Sequence, residues 1–136
     1  MKISKKAQYG LRAMVFLAKK AKGSNQSQKA FSIREISNEE GMPFAFLSKI
    51  FADLERAGLV KAKHGMNGGY VLSKKPSQIT AGQVVSFLEN ADIAGCKICS
   101  KARKCRTKSV WNRVEQVISS TLDKITLQNL VSGIAD

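Results

Sequence analysis

Acidic side chains are scarce in this chain, long apolar runs are absent, histidine occurs once and cysteine only three times. Each shortage excludes something. No apolar stretch approaches the ~18 residues needed to cross a bilayer, so a membrane span is not expected. The basic start Met1-Lys2-Ile3-Ser4-Lys5-Lys6 precedes a segment containing Arg12, Lys19 and Lys20. It lacks a small-residue cleavage site and reads as an amphipathic helix, not a signal peptide. An odd cysteine count does not suggest a disulfide scaffold, and it points to a reducing, cytoplasmic setting. There is no second cysteine group, no convergent pair of carboxylates and no histidine paired with a nucleophile. Enzymatic chemistry and electron transfer therefore lack the residues they need.

What is present is positive charge. Against 10 Asp and Glu stand 23 Lys and Arg, a net charge of +13 over 136 residues. The excess is uneven: residues 1–80 carry 15 basic and 5 acidic groups, and residues 81–136 carry 8 and 5. Such a chain binds phosphate polymers or anionic surfaces, or simply has a soluble basic exterior. A hydrophobic content of 43% suits a globular chain and argues against disorder. The length fits one compact unit, or a small domain with an added dimerisation element.

All three cysteines fall within Cys96-Lys97-Ile98-Cys99-Ser100-Lys101-Ala102-Arg103-Lys104-Cys105, and no acid occurs between Asp92 and Glu115. Close spacing lets the sulfurs converge on one centre, and the surrounding positive charge favours thiolate over thiol. Thiolates bind zinc and iron–sulfur clusters. Three basic-flanked cysteines also suit a thiol oxidation switch.

Hydrophobic periodicity predicts mainly α structure with a small β-hairpin. Ser4 caps a first helix to about Lys22, with Ala7, Leu11, Met14, Val15 and Ala18 as its buried stripe. A loop runs from Gly23 to Lys29. Ser32-Ile33-Arg34-Glu35 is a capping box opening a short helix that ends at Gly41. Pro43 suits the first turn of a further helix, with Leu47, Ile50, Phe51 and Leu54 on one face and Gly58 closing it. Two short helices with a tight connection make a helix-turn-helix. Leu59–Lys63 and Tyr70–Ser73 then flank a Gly- and Asn-rich tip, the hairpin wing of a winged helix. Thr80 caps a helix to about Glu89, with Val84, Val85, Phe87 and Leu88 as its apolar set. A long helix from about Cys105 to Lys124 carries Val110, Val114, Val117, Ile118, Thr121, Leu122 and Ile125. It is too long to bury that stripe alone, so it suits pairing with a second subunit, with packing against the first helix of the same chain as a compatible alternative. Residues 126–134 form a last short helix. The expected organisation is a DNA-binding head over 1–80, followed by a cysteine loop and dimerisation region over 81–136.

On the recognition helix, Ala45, Ser48 and Lys49 face away from the apolar stripe, and serine can either donate to a base or accept from it. Lys2, Lys5, Lys6, Lys49, Lys61 and Lys63 suit phosphate contacts, which set affinity without reading sequence. If about six phosphates are neutralised per dimer, log K falls with log salt at a slope near −5.

The order of these short strings resembles the Rrf-two family of bacterial winged-helix transcription regulators over nearly the whole chain. The match runs through Ala7–Met14, Ile33–Ser37, Leu47–Leu54, Ala57–Val60 and Gly65–Tyr70. It continues with Cys99, Cys105, Trp111 and Ile125–Leu127. The resemblance implies a homodimer on a two-fold-symmetric double-stranded DNA operator, with the wing residues His64, Gly65, Asn67 and Gly68 at the DNA. It implies a repressor whose operator affinity is controlled by an iron–sulfur cluster sensing iron, redox state, oxygen or nitric oxide.

Cys96, Cys99 and Cys105 are the implied ligands of a 4Fe-4S or 2Fe-2S cluster. Two departures stand out. The first cysteine gap is shorter than in cluster-sensing members, and Lys108 stands where some of them carry a histidine ligand. The fourth ligand is then Gln8 of the other subunit, water, a small thiol or an open iron site. Ser48 replaces a glutamate that helps other members choose operators, which implies a different operator preference. A winged-helix regulator using the cysteines as a thiol switch or structural zinc site is the alternative.

Overall fold

A computed structural model describes residues 3–21, 29–89 and 104–133 of the chain. Lys2, most of the expected Gly23–Lys29 loop, Cys96, Cys99 and the end of the last expected helix lie outside these residues. The described elements are helical apart from one hairpin, the arrangement that the periodicity implies.

Helix α1 spans Lys5–Ala21. The Ser4 hydroxyl accepts the Ala7 amide proton at 3.1 Å, a serine cap on open donors. The Ser4 amide in turn donates to Glu89 Oε1 at 2.6 Å, across 85 residues of chain. Ala7, Met14 and Ala18 are buried as expected, but Leu11 and Val15 are only half-buried, and Ala13, Phe16 and Leu17 join the core. Helix α1 packs against several neighbours and so buries more than one stripe.

Helix α2 covers Ile33–Glu40 and α3 covers Phe44–Arg56. The Ser32 hydroxyl accepts from the Glu35 amide at 3.1 Å, but the Glu35 carboxylate accepts from that hydroxyl, at 3.2 Å, instead of from a backbone amide. The capping box is therefore half formed. Gly41 takes the left-handed conformation, φ 65°, that the tight turn requires. Pro43 stands one position earlier than expected, as the extended cap before Phe44. Leu47, Ile50, Phe51 and Leu54 are fully buried.

Strand β1, Val60–Lys63, pairs antiparallel with β2, Gly69–Leu72, from Val60 opposite Leu72 to Lys63 opposite Gly69. The far edge of β2 is also paired. Phe31 exchanges two backbone hydrogen bonds with Tyr70, at 3.1 and 2.8 Å. Gly69 permits this, because a Cβ there would run into the Phe31 carbonyl.

After a 3-10 turn at Pro76–Gln78, α4 spans Ala81–Leu88, with Thr80 and Gln83 in a complete capping box. Val84, Val85 and Leu88 are buried, but Phe87 is 41% exposed, on the opposite side of the helix from the core. Helix α5, Lys108–Asp123, begins a few residues later than expected and buries none of its side chains fully. Helix α6, Leu127–Ser132, is capped by Thr126 and Asn129. Leu127 is fully buried in one core with Met14, Ile36, Phe51 and Val84. Its amide donates to the Ile79 carbonyl at 2.9 Å, and the Ala81 amide donates to the Ile125 carbonyl at 2.7 Å. These bonds stitch the end of α5 to the start of α4.

Two substitutions test this packing by urea unfolding. Phe51→Ala is expected to cost about 3–5 kcal/mol, from lost burial and a residual cavity. Gly69→Ala is expected to cost about 1–3 kcal/mol, since its backbone conformation and the Phe31 contact both exclude a side chain.

Candidate nucleic-acid interface and cysteine centre

The turn between α2 and α3 is held rigid from within. The Met42 amide donates to the Ser37 carbonyl at 3.1 Å, and the Ser37 hydroxyl donates back to the Met42 carbonyl at 2.5 Å. With the turn fixed, α3 presents Phe44, Ala45, Lys49 and Ala52 outward, and Ser48 is half-buried. The Ser48 hydroxyl donates to the Phe44 carbonyl at 3.0 Å, so what it offers outward is acceptor capacity.

The wing stands against this helix pair. Tyr70 packs its ring on Phe51 at 4.8 Å between centroids. Burial pushes the Tyr70 phenol upward in pKa, and the Glu55 carboxylate, which accepts its hydrogen bond, pushes the same way. Wing and recognition helix are thus joined at their bases. Lys61, Lys63, His64, Gly65 and Asn67 are exposed, and Gly68 is half-buried.

Between α2, the start of α3 and the wing lies a groove of about 540 Å³. It brings together the expected residues Lys63, His64, Gly65 and Gly68 with Ser32, Arg34, Phe44 and Tyr70. Arg34 and Phe44 were not singled out from the sequence. Their signals were a cation in the first turn of α2 and an aromatic directly after the helix-opening proline. The guanidinium of Arg34 lies over the Phe44 ring, 5.0 Å from its centroid. A cation over an exposed ring contributes about 0.5–1 kcal/mol.

Of the expected phosphate contacts, Lys5, Lys49 and Lys61 are exposed. Lys6 differs. Its ammonium pairs with the carboxylate of Asp53, which is nearly buried and also takes the guanidinium of Arg56. The pair joins α1 to α3, so Lys6 serves the fold before it can serve DNA.

Cys105 is half-buried, unbridged, and three residues ahead of α5. Its Sγ lies 3.1 Å from the Thr107 hydroxyl. That hydrogen bond, then the Thr107 amide, and more weakly the Lys108 amide and charge, lower the thiol's pKa from its ordinary value. The shift is toward the thiolate that a metal or an oxidant requires. Lys108 is exposed in the first turn of α5, and the Gln8 side chain, also exposed, donates its Nε2 proton to the Ile3 carbonyl at 3.0 Å. Among the described residues no group of three metal-ligating side chains converges.

The opposite face of α5 carries Val110, 52% exposed, and Val117, 59% exposed. With Val114, Ile118, Ser109 and Arg113 they line an apolar groove of about 600 Å³. No helix among the described residues is long and apolar enough to cross a membrane.

A family model described as an iron-dependent transcriptional regulator matches residues 3–133. The HTH-type transcriptional regulator CymR of Bacillus subtilis (strain 168) is 33% identical over 132 residues, covering 97% of this chain and 91% of that protein. The HTH-type transcriptional regulator IscR of Aliivibrio salmonicida (strain LFI1238) is 33% identical over 135 residues, covering 96% and 77%. The solved structure of B. subtilis CymR, described as the global cysteine regulator, superposes with a TM-score of 0.76 at 32% identity, covering 100% and 99% of the two chains.

Thr107→Val removes the strongest influence on the Cys105 thiol, so its pKa in the metal-free protein is expected to rise. Alkylation of Cys105 by iodoacetamide, followed against pH by mass spectrometry, should then require more alkaline conditions than in the unsubstituted protein. An unchanged profile would show that the hydroxyl does not hold the thiolate.

Proposed function

This chain belongs to the Rrf2 family of transcriptional regulators, and from that membership we propose a homodimeric repressor controlled by an iron–sulfur cluster on Cys96, Cys99 and Cys105. It is a regulator of transcription and not an enzyme. The observation that carries the proposal is the position of Cys105. It immediately precedes α5, and the far end of α5 is hydrogen-bonded into the core that holds the helix-turn-helix. A change at the cysteine centre therefore has a path both to the subunit contact on α5 and to the DNA-reading elements.

The donor chemistry fits such a cluster. The Cys105 thiol is held toward thiolate, and the other two cysteines lie within nine residues of it in the chain. Cys105 with Cys96 and Cys99 would hold the group, and the site would lack a fourth strong ligand. Lys108 is a cation without a lone pair to offer, and Gln8, whose Nε2 donates to the Ile3 carbonyl, has only a neutral amide oxygen to offer. When bound, a cluster held by three thiolates would supply redox chemistry and one labile iron. The protein's part is to shift Cys105 toward thiolate through Thr107 and, more weakly, Lys108. The exposed valines of α5 support the subunit contact. The wing, the Arg34 groove and the outward face of α3, with Lys5, Ala45, Ser48, Lys49, Lys61 and His64, support contact with operator DNA, together with Lys2 outside the described residues.

A second reading has its own support. The likeness to the B. subtilis global cysteine regulator, together with Lys108, favours a direct thiol switch or a structural zinc site on the same cysteines.

Protein purified without oxygen decides between them. A brown colour with iron and sulfide, lost in Cys99→Ala, is the expected outcome. Colourless protein after anaerobic reconstitution would leave the thiol or zinc reading. Mössbauer spectra would give the nuclearity, and DNA binding titrated in both forms would give the sign of control.

Salt dependence tests the DNA face separately. Lys49→Gln and Lys61→Gln are each expected to reduce the slope of log K against log salt by about two for a dimer, since each removes two phosphate contacts. Lys6→Gln should leave the slope unchanged.

A further inference from the structure

We propose that Arg34, held over the Phe44 ring, grips the DNA sugar–phosphate strand that passes between the recognition helix and the wing. The proposal rests on the DNA-binding reading above and assigns within it a positioning pair.

The groove between α2 and the wing is chemically one-sided. Arg34, Lys63 and His64 line it, together with the bare backbone of Gly65 and Gly68, and no acidic residue does. The nearest acid in the chain, Glu35, does not line the groove, and its carboxylate is engaged by the hydroxyl of Ser32, which does. None of the four ion pairs found among the described residues uses Arg34. Its side chain emerges from the first turn of α2, where the positive end of the helix also favours an anion. A guanidinium presents paired donors that match two phosphate oxygens, and glycine backbone lets a strand approach closely.

Phe44 explains why the arginine is ready. The ring is 46% exposed at the first position of α3, an unusual place for an aromatic without a task. With its centroid 5.0 Å from the guanidinium carbon, it restrains a long side chain that would otherwise lose its freedom only on binding. The pair also spans two elements, α2 and α3, so the grip is registered to the recognition helix. Arg34 belongs to α2 and lies over Phe44, at the N-terminal end of the outward face of α3, and not on α3 itself with Ala45, Ser48 and Lys49. Its partner is therefore the backbone, and it contributes affinity and register rather than base choice.

The test uses the full-length protein and a mixed-sequence duplex of about 30 base pairs, with binding followed by fluorescence anisotropy across salt. Arg34→Gln should reduce the magnitude of the slope by about two for a dimer, so that its deficit relative to the unsubstituted protein shrinks about ten-fold between 50 and 200 mM salt. Arg34→Lys should keep the slope while binding more weakly, because it retains the charge but not the paired guanidinium donors. Phe44→Leu should weaken binding alone and add nothing in the Arg34→Gln background. Circular dichroism of each variant should match the unsubstituted protein, as both side chains are exposed.

An unsubstituted slope for Arg34→Gln, while Lys49→Gln and Lys61→Gln lower it, would overturn the grip and leave the DNA-binding reading intact. An undiminished Phe44→Leu effect in the Arg34→Gln background would overturn the pairing and make Phe44 a contact in its own right. If the unsubstituted protein fails to bind the duplex at low salt, the DNA-binding reading falls and the grip falls with it.

Discussion

Burial of α1 on several sides is the constraint on which the rest depends. The helix meets α3, α4 and α6. Gly10 has no side chain, which lets Leu88 of α4 lie against the helix where a Cβ would collide. Lys6 reaches Asp53 of α3, a carboxylate that would be costly to leave unpaired in a nearly buried position. The open amide of Ser4 is met by Glu89. With α1 so held, the helix-turn-helix and α4, the helix immediately before the cysteine segment, are parts of one packed body.

The wing follows from that body. A two-stranded hairpin alone is marginal in water. Here it has a third partner, Phe31, on the outer edge of β2, and Tyr70 anchors it to Phe51. The wing is therefore placed by side chains whose own positions are set by the core. The groove that receives Arg34 and Phe44 exists because these contacts fix the distance between the wing and α2.

Helix α5 is the opposite case. None of its residues is fully buried, yet its apolar positions recur regularly, and its C-terminal end is bonded to α4 and α6. Such a helix is stabilised at one end by its own subunit and exposes a stripe suited to a second copy. The thiolate-favouring site of Cys105 lies at its other end. Under the proposed function, this one helix connects chemistry at the cysteines with the contact between two subunits.

Local patterning was enough to locate nearly every element, because caps, glycine turns and helical periodicity act over a few residues. Ser4, Gly41, Gly58, Thr80 and the Leu47–Leu54 stripe were all legible in this way, as were the clustered cysteines and the basic head. What patterning could not assign was which of two exposed-looking positions meets a neighbour. Phe87 reads as core by composition but faces outward. Lys6 reads as a free cation but is claimed by Asp53. Phe31, between the expected loop and α2, pairs with the wing. Arg34 and Phe44 stand ten residues apart in the chain, on different helices, and only the α2–α3 turn brings the guanidinium over the ring. Hydrophobic period and turn chemistry belong to the chain itself. Partnership across elements depends on how the helices cross, and only the packed core decided that.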